Sequence, residues 1–173
     1  QVLFKGKDIS KLPPHKIADL GIGRTFQVMR PYPSLQAYKN LIVPLFSSRV
    51  RRTAHGKLGD RDAVAIDILE DIGFEREAYV PYKLASSLPL GYLKRLELGR
   101  CLALKSDLII ADEVFSGLSM AEIASMIPVV EKLQMEGISI IMIEHRLGEL
   151  FRVANKIMVL NFGQKVAEDV PGK

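Results

Sequence analysis

Two short polar couplets stand where the residues before them would not place them. Asp112-Glu113 follows Leu108-Ile109-Ile110-Ala111 directly, and Glu144-His145 follows the apolar run from Ile138 to Ile143. Both runs read as strands, and neighbouring parallel strands would put the two couplets on one edge of a sheet. An aspartate there can hold Mg²⁺ directly or through water, because Mg²⁺ prefers a few hard oxygens and keeps much of its hydration. The adjacent glutamate can take a proton from an attacking water, and a histidine can donate to a phosphoryl oxygen. That set suits metal-assisted hydrolysis of a phosphoanhydride. For Asp112 and Glu113 alone the plainer reading is that acidic residues cap the next helix; the pairing with His145 weighs against it.

The elements that must position these residues follow from pattern. Gln1 to Phe4 and Lys5-Gly6-Lys7-Asp8 read as a short strand and a turn. Leu12-Pro13-Pro14 opens a helix, since proline is tolerated where no backbone donor is needed. Gly21 ends that helix, and Ile22 to Phe26 is extended, closing on Gln27. From Ser34 to about Ala103 the pattern is helical with breaks. Ala65, Ile68, Leu69 and Ile72 fall at i, i+3, i+4, i+7, and Gly73 is placed to stop their helix. Leu108 to Ala111 is expected to be a strand buried on both faces of a parallel sheet. A helix is predicted over Met120 to Met135, with a kink or break near Ile127 from Pro128. Another follows at Leu147 to Val153, and Asn161-Phe162-Gly163-Gln164 joins two strands in a hairpin. Strands and helices in this alternation predict right-handed βαβ crossovers and an α/β sheet.

Composition narrows the field. The chain has 173 residues, 48% hydrophobic and 25% charged, which is enough for one domain with a real core. A net charge of +4 does not select a partner. Cys101 is the only cysteine, which excludes an internal disulfide and a multi-cysteine zinc site. It reads as a core residue, and His15 and His55 read as exposed residues without a second metal ligand. No apolar run approaches the roughly 18–20 residues needed to cross a bilayer. The basic segment from Arg49 to Lys57 reads as a solvated loop; it lacks the interleaved aromatics that stack on bases, so no nucleic acid is expected. The chain opens on Gln1 and closes on Pro171-Gly172-Lys173, so both ends read as cuts.

In their order along the chain, the motifs resemble those of the ATP-binding subunits of ABC transporters, closest to the branched-chain amino acid importer group. Gly21-Ile22-Gly23-Arg24-Thr25-Phe26-Gln27 is similar to the strand ending in the Q-loop glutamine. Leu96-Glu97-Leu98-Gly99-Arg100 resembles the helix after the signature loop, and Leu108 to Glu113 the Walker B strand. Gly117-Leu118-Ser119 resembles the D-loop, Ile143-Glu144-His145 the switch histidine, and Val159 to Glu168 the tail. The resemblance implies a P-loop NTPase-like α/β fold with a mostly parallel sheet. Residues 1–33 and 104–173 would form a RecA-like core, and about 34–103 an inserted helical subdomain.

The resemblance also implies roles. Gln27 would sense Mg²⁺ and the attacking water, Asp112 would support Mg²⁺, Glu113 would be the general base, and His145 would contact the γ-phosphate. Leu88, Pro89, Leu90, Gly91 and Tyr92, with Ser119, would close over ATP held by a second subunit, either another copy or a related chain. The helical region would dock on a membrane-spanning permease, Tyr38, Phe46 and Met29 being candidate contacts or simply core. The protein would sit in the cytoplasm, peripheral to the inner face of the membrane.

Departures qualify that expectation. Where the family has L-S-G-G-Q, this chain has Leu88-Pro89-Leu90-Gly91-Tyr92; Val114 replaces a proline, and Ser119 an acid or amide. The Walker A pattern G-x-x-x-x-G-K-[ST] does not occur in these residues. In the family it lies upstream of the position of Gln1. The P-loop strand and helix are therefore expected to be lacking, and residues 1–173 alone to bind and hydrolyse ATP poorly. The alternative is a permease-docking module without nucleotide turnover.

Overall fold

A computed structural model describes residues 1–55 and 58–172. The chain begins with a hairpin, β1 (Leu3–Phe4) and β2 (Lys7–Asp8), turned by Lys5 and Gly6 at φ 49° and 75°. Helix α1 (Pro14–Leu20) starts with Pro14 in its first turn and stops at Gly21, whose φ of 108° is open to glycine at little steric cost. Strand β3 (Ile22–Arg24) follows at once.

The chain then leaves the sheet for a helical stretch: α2 (Lys39–Leu45), α3 (Ser48–Thr53), α4 (Arg61–Asp71), two single 3-10 turns at Val80–Tyr82 and Ala85–Ser87, and α5 (Leu90–Ala103). The stripe on α4 points inward: Ala65, Leu69 and Ile72 are fully buried, and Gly73 takes φ 87° just after the helix. The basic segment departs from expectation, because Arg49–Thr53 lies in α3 and not in a loop. Ser47 caps that helix by accepting from the Val50 N–H. Arg49 is buried and donates twice to the Lys105 carbonyl and once to Asp107, which ties α3 to the start of the next strand. A guanidinium can be buried when its donors are matched in this way, and composition alone did not reveal it. Gly56 and Lys57 of that segment lie outside the described residues.

Returning to the sheet, β4 (Leu108–Asp112) pairs in parallel with β3 and with β5 (Ser139–Ile143), giving the order β3-β4-β5. The connection from β4 to β5 is α6 (Met120–Met135). The predicted break does not occur: α6 is continuous across Pro128. Pro128 and Ala124, whose carbonyl loses its usual donor, both lie on the exposed face, where water can satisfy that oxygen. The expectation that Leu108 to Ala111 is buried on both faces is also corrected. Ile109 and Ala111 are buried under α6, whereas Leu108 and Ile110 are only half-buried and Ile141 and Ile143 on β5 are exposed. Helix α6 packs on one face alone. Helix α7 (Leu147–Val153) and the hairpin of β6 (Ile157–Asn161) and β7 (Gln164–Asp169) complete the chain.

Two apolar clusters hold these elements. One gathers Leu41, Leu45, Leu69, Ile72, Phe74 and Leu96 in the helical stretch. The other gathers Leu98, Ile109, Phe115, Ile123, Met126 and Leu133 between sheet and α6. Helix α5 contributes to both, Leu96 to the first and Leu98 and Cys101 to the second. It is the shared wall. Among the described residues no helix is long and apolar enough to cross a membrane.

Candidate active site

In open α/β sheets the functional edge lies beyond the carboxyl ends of the parallel strands. The register aligns Arg24 with Ile110 and Asp112 with Ile143, so β3, β4 and β5 all end at one edge. Just past β3 the Thr25 N–H donates to the Ile110 carbonyl (3.0 Å) and its Oγ1 accepts from the Asp112 N–H (3.1 Å). The Glu113 N–H donates to the Ile143 carbonyl (2.9 Å). Glu113 then turns into the left-handed region at φ 49°, a conformation that costs an ordinary residue about 1–2 kcal/mol.

That turn presents its carboxylate to two partners. Gln27 Nε2 donates to Glu113 Oε2 at 2.7 Å, and His145 Nε2 lies 3.1 Å from Oε1. The carboxylate is recessed, its side chain 18% exposed, while the imidazole stands at the rim at 83%. Gln27, Glu113 and His145, separated by up to 118 positions in sequence, thus form one hydrogen-bonded group. Asp112 lies beside it with Oδ2 paired to Arg24 Nη2 at 3.0 Å.

Beneath this edge sit two groups that sequence reasoning passed over. Lys94 on α5 is only 3% exposed and donates to the Glu113 carbonyl (2.9 Å) and the Gln27 carbonyl (3.4 Å). Burial pushes its ammonium pKa down, and the carboxylates of Glu144, Glu113 and Asp112 oppose that shift. Glu144 accepts from the Phe115 N–H at 2.9 Å, and burial raises its carboxyl pKa. Glu144 was read only as half of a couplet with His145. One signal for Lys94 was available: it falls on the stripe Gly91, Lys94, Leu98, Cys101, all of them buried, where a lysine requires a partner.

The remaining site candidates form a second group. Leu88 is buried, Pro89 precedes the first residue of α5, and Gly91 packs so closely that an added Cβ would lie 3.0 Å from Glu122 Oε1. Leu90 abuts Gly117, where an added Cβ would meet its Cδ2 at 2.9 Å. Ser119 caps α6 in a reciprocal box with Glu122, and its hydroxyl is committed there. The Tyr92 hydroxyl donates to Glu75, and its ring meets Phe74 edge-on at 5.0 Å. None of these six residues hydrogen-bonds to the Gln27–Glu113–His145 group. Of the three docking candidates, Tyr38 packs against the helical cluster, Met29 is half-buried, and Phe46 is exposed beneath the Arg61 guanidinium. His15 and His55 are exposed, and Cys101 is buried with its thiol pushed up to about 12.

Among the described residues no three His, Cys, Asp or Glu side chains are grouped to hold a metal. The donor set at the sheet edge is instead one carboxylate, Asp112, and one amide oxygen, that of Gln27, whose Nε2 is the atom bonded to Glu113. Two hard oxygens beside open solvent fit Mg²⁺, which retains waters and completes its shell from phosphate.

The chain is similar to known proteins. The ABC transporter family profile matches residues 1–116. A probable branched-chain amino acid transport ATP-binding protein, LivG, of Archaeoglobus fulgidus is 30% identical over 97% of this chain and 66% of its own length. The high-affinity branched-chain amino acid transport ATP-binding protein BraF of Pseudomonas aeruginosa is 29% identical, over 98% of this chain and 69% of its own. A ribose import ATP-binding protein, RbsA, of Clostridium tetani is 31% identical over 87% of this chain and 29% of its own length. The chain thus spans about two thirds of the length of the branched-chain relatives. Among solved structures, a nucleotide-free ATP-binding cassette from an ABC transporter superposes with a TM-score of 0.79 at 26% identity, covering 97% of this chain and 68% of the other. With a three-stranded parallel sheet ending in the Gln27–Glu113–His145 group and a family match over more than half its residues, this chain belongs to the ABC transporter family.

Proposed function

We propose that this chain belongs to the ATP-hydrolysing subunit of an importer, energising the uptake of branched-chain amino acids. The observation that carries hydrolysis is the recessed Glu113 carboxylate held between Gln27 and His145. Water attacks the γ-phosphorus of ATP while the bond to the β–γ bridging oxygen breaks; ADP leaves with that electron pair, and the water proton passes to Glu113. Gln27 aligns the carboxylate and the attacking water. His145, at the rim, donates to a γ-phosphate oxygen. Asp112 and the Gln27 amide oxygen would hold Mg²⁺, which would neutralise phosphate charge. The choice of solute rests on the names of LivG and BraF; the ribose relative supplies the competing solute class.

The same reading gives the second group its partner. Leu88–Tyr92 and Ser119 close over ATP on a second ATP-binding subunit, the start of α5 facing its phosphates. The helical stretch, about 34–103, docks on a permease and places the protein at the cytoplasmic face of the membrane. A second reading, docking without turnover, draws on Pro89 and on Tyr92, whose hydroxyl is bonded to Glu75. Vesicles carrying the full-length protein with its permease distinguish these. Leucine, isoleucine or valine supplied on the uptake side is expected to raise ATP hydrolysis, and ribose to leave it unchanged. A response to ribose alone would replace the solute class, and no hydrolysis under any solute would leave the docking reading.

A further inference from the structure

We infer that Lys94 is a positioning residue, through which α5 holds the Gln27 and Glu113 backbones in their working arrangement. The inference rests on the hydrolysis reading above. A buried ammonium is costly unless its donors are matched, and Lys94, 3% exposed, is matched by main-chain carbonyls and not by a paired carboxylate. Those carbonyls belong to Gln27 and Glu113, whose side chains make the 2.7 Å contact at the site. One side chain therefore fixes the backbones of both partners.

The geometry at Glu113 makes this hold consequential. Its backbone is left-handed at φ 49°, and such strain persists only where surroundings over-determine it. The N–H is fixed by Ile143, and the carbonyl by Lys94 and the Ser116 N–H. Of these three, only Lys94 comes from the helical stretch. Three residues before it, Gly91 lies in the segment proposed to meet the second subunit's ATP. A second cation on α5, Arg100, donates to the Arg30 carbonyl at 3.1 Å and lies over the Tyr32 ring. Segment 27–32 is thus held to α5 at both ends. A shift of α5 on docking moves the carbonyls of Gln27 and Glu113 together, and with them the line from amide to carboxylate.

The test uses the full-length protein with its permease and compares Lys94→Met, which keeps length and loses all donors, with Lys94→Gln, which keeps an N–H donor without charge. Lys94→Met is expected to lower kcat about tenfold to a hundredfold, as misplacement of a reacting group by roughly 1 Å does, with KM for ATP within threefold. Lys94→Gln is expected to recover most of that kcat. Circular dichroism and thermal melts of both variants report folding separately. A normal kcat in folded Lys94→Met, or equal losses in both variants, would overturn the inference. Glu113→Gln measured alongside separates the two levels. Turnover surviving both Lys94→Met and Glu113→Gln rejects Glu113 as the general base, and with it the site reading on which this inference rests; turnover surviving Lys94→Met alone rejects only the role of Lys94.

Discussion

Replacing Thr25 with valine probes how the sheet delivers Asp112 to the site. Thr25 is 1% exposed, and its Oγ1 accepts from the Asp112 N–H at 3.1 Å where β3 has ended and no carbonyl takes over. Valine keeps the shape and puts a methyl where the acceptor was. A buried donor left unsatisfied costs about 1–3 kcal/mol. Burying the added methyl returns about 0.8 kcal/mol, so the net loss is about 0.2–2 kcal/mol. For a domain of this size that lowers Tm by up to about 8 °C. Thr25→Ser removes the methyl and keeps the oxygen, so it also loses stability but leaves the Asp112 N–H paired. The two variants separate in turnover: Thr25→Val is expected to lose about tenfold in kcat, and Thr25→Ser less than twofold. Calorimetry and steady-state ATPase on the same preparations read both quantities. Equal turnover in the two variants would show that the hydroxyl does not place Asp112.

Gly21→Ala should be among the most damaging single changes outside the site. At φ 108° the new Cβ would lie 2.5 Å from Asp107 Oδ2 and 2.6 Å from the Arg49 guanidinium, so backbone strain and overpacking combine to about 2–4 kcal/mol, readable in a urea melt. The same Asp107 gives a pH dependence. Burial works to raise its carboxyl pKa, but Lys5 and Arg49 outweigh that and hold it below the ordinary 3.8. A lowered folded-state value means stability present above about pH 4 that drains away as pH falls through the folded pKa. Urea melts between pH 7 and pH 2.5 should therefore show Asp107→Asn less acid-sensitive than the parent chain.

Much of the fold was legible because single residues punctuate it. Pro13-Pro14 and Gly21 bracket α1, Gly73 follows α4, and Phe162-Gly163 turns the last hairpin, each by a backbone restriction that needs no tertiary knowledge. The apolar runs likewise announced β4 and β5. Errors arose where partners decide. Pro128 does not break α6, where it lies on the exposed face, and the basic run is helical because Arg49 finds a carbonyl and a carboxylate distant in sequence. Half-burial of β4 depends on which faces find a covering helix. At the site, Gln27, Glu113 and His145 were legible as strand-end polar residues. Lys94 was passed over, since a lone lysine on a helix reads as surface unless it is set against the apolar stripe it shares with Leu98 and Cys101. Nor did spacing reveal that the Ser119 hydroxyl is occupied by the cap of α6.

The central claim is that Gln27, Glu113 and His145 act as one unit at one phosphate. A triple-mutant series on kcat tests it most directly: Gln27→Ala, Glu113→Gln and His145→Ala, singly and in each pair, in the full-length protein with its permease. Residues acting as a unit lose their effect together, so each pair should fall scarcely below its worse single variant. Losses that multiply across all three pairs would mean that the three side chains act independently, and would contradict the account.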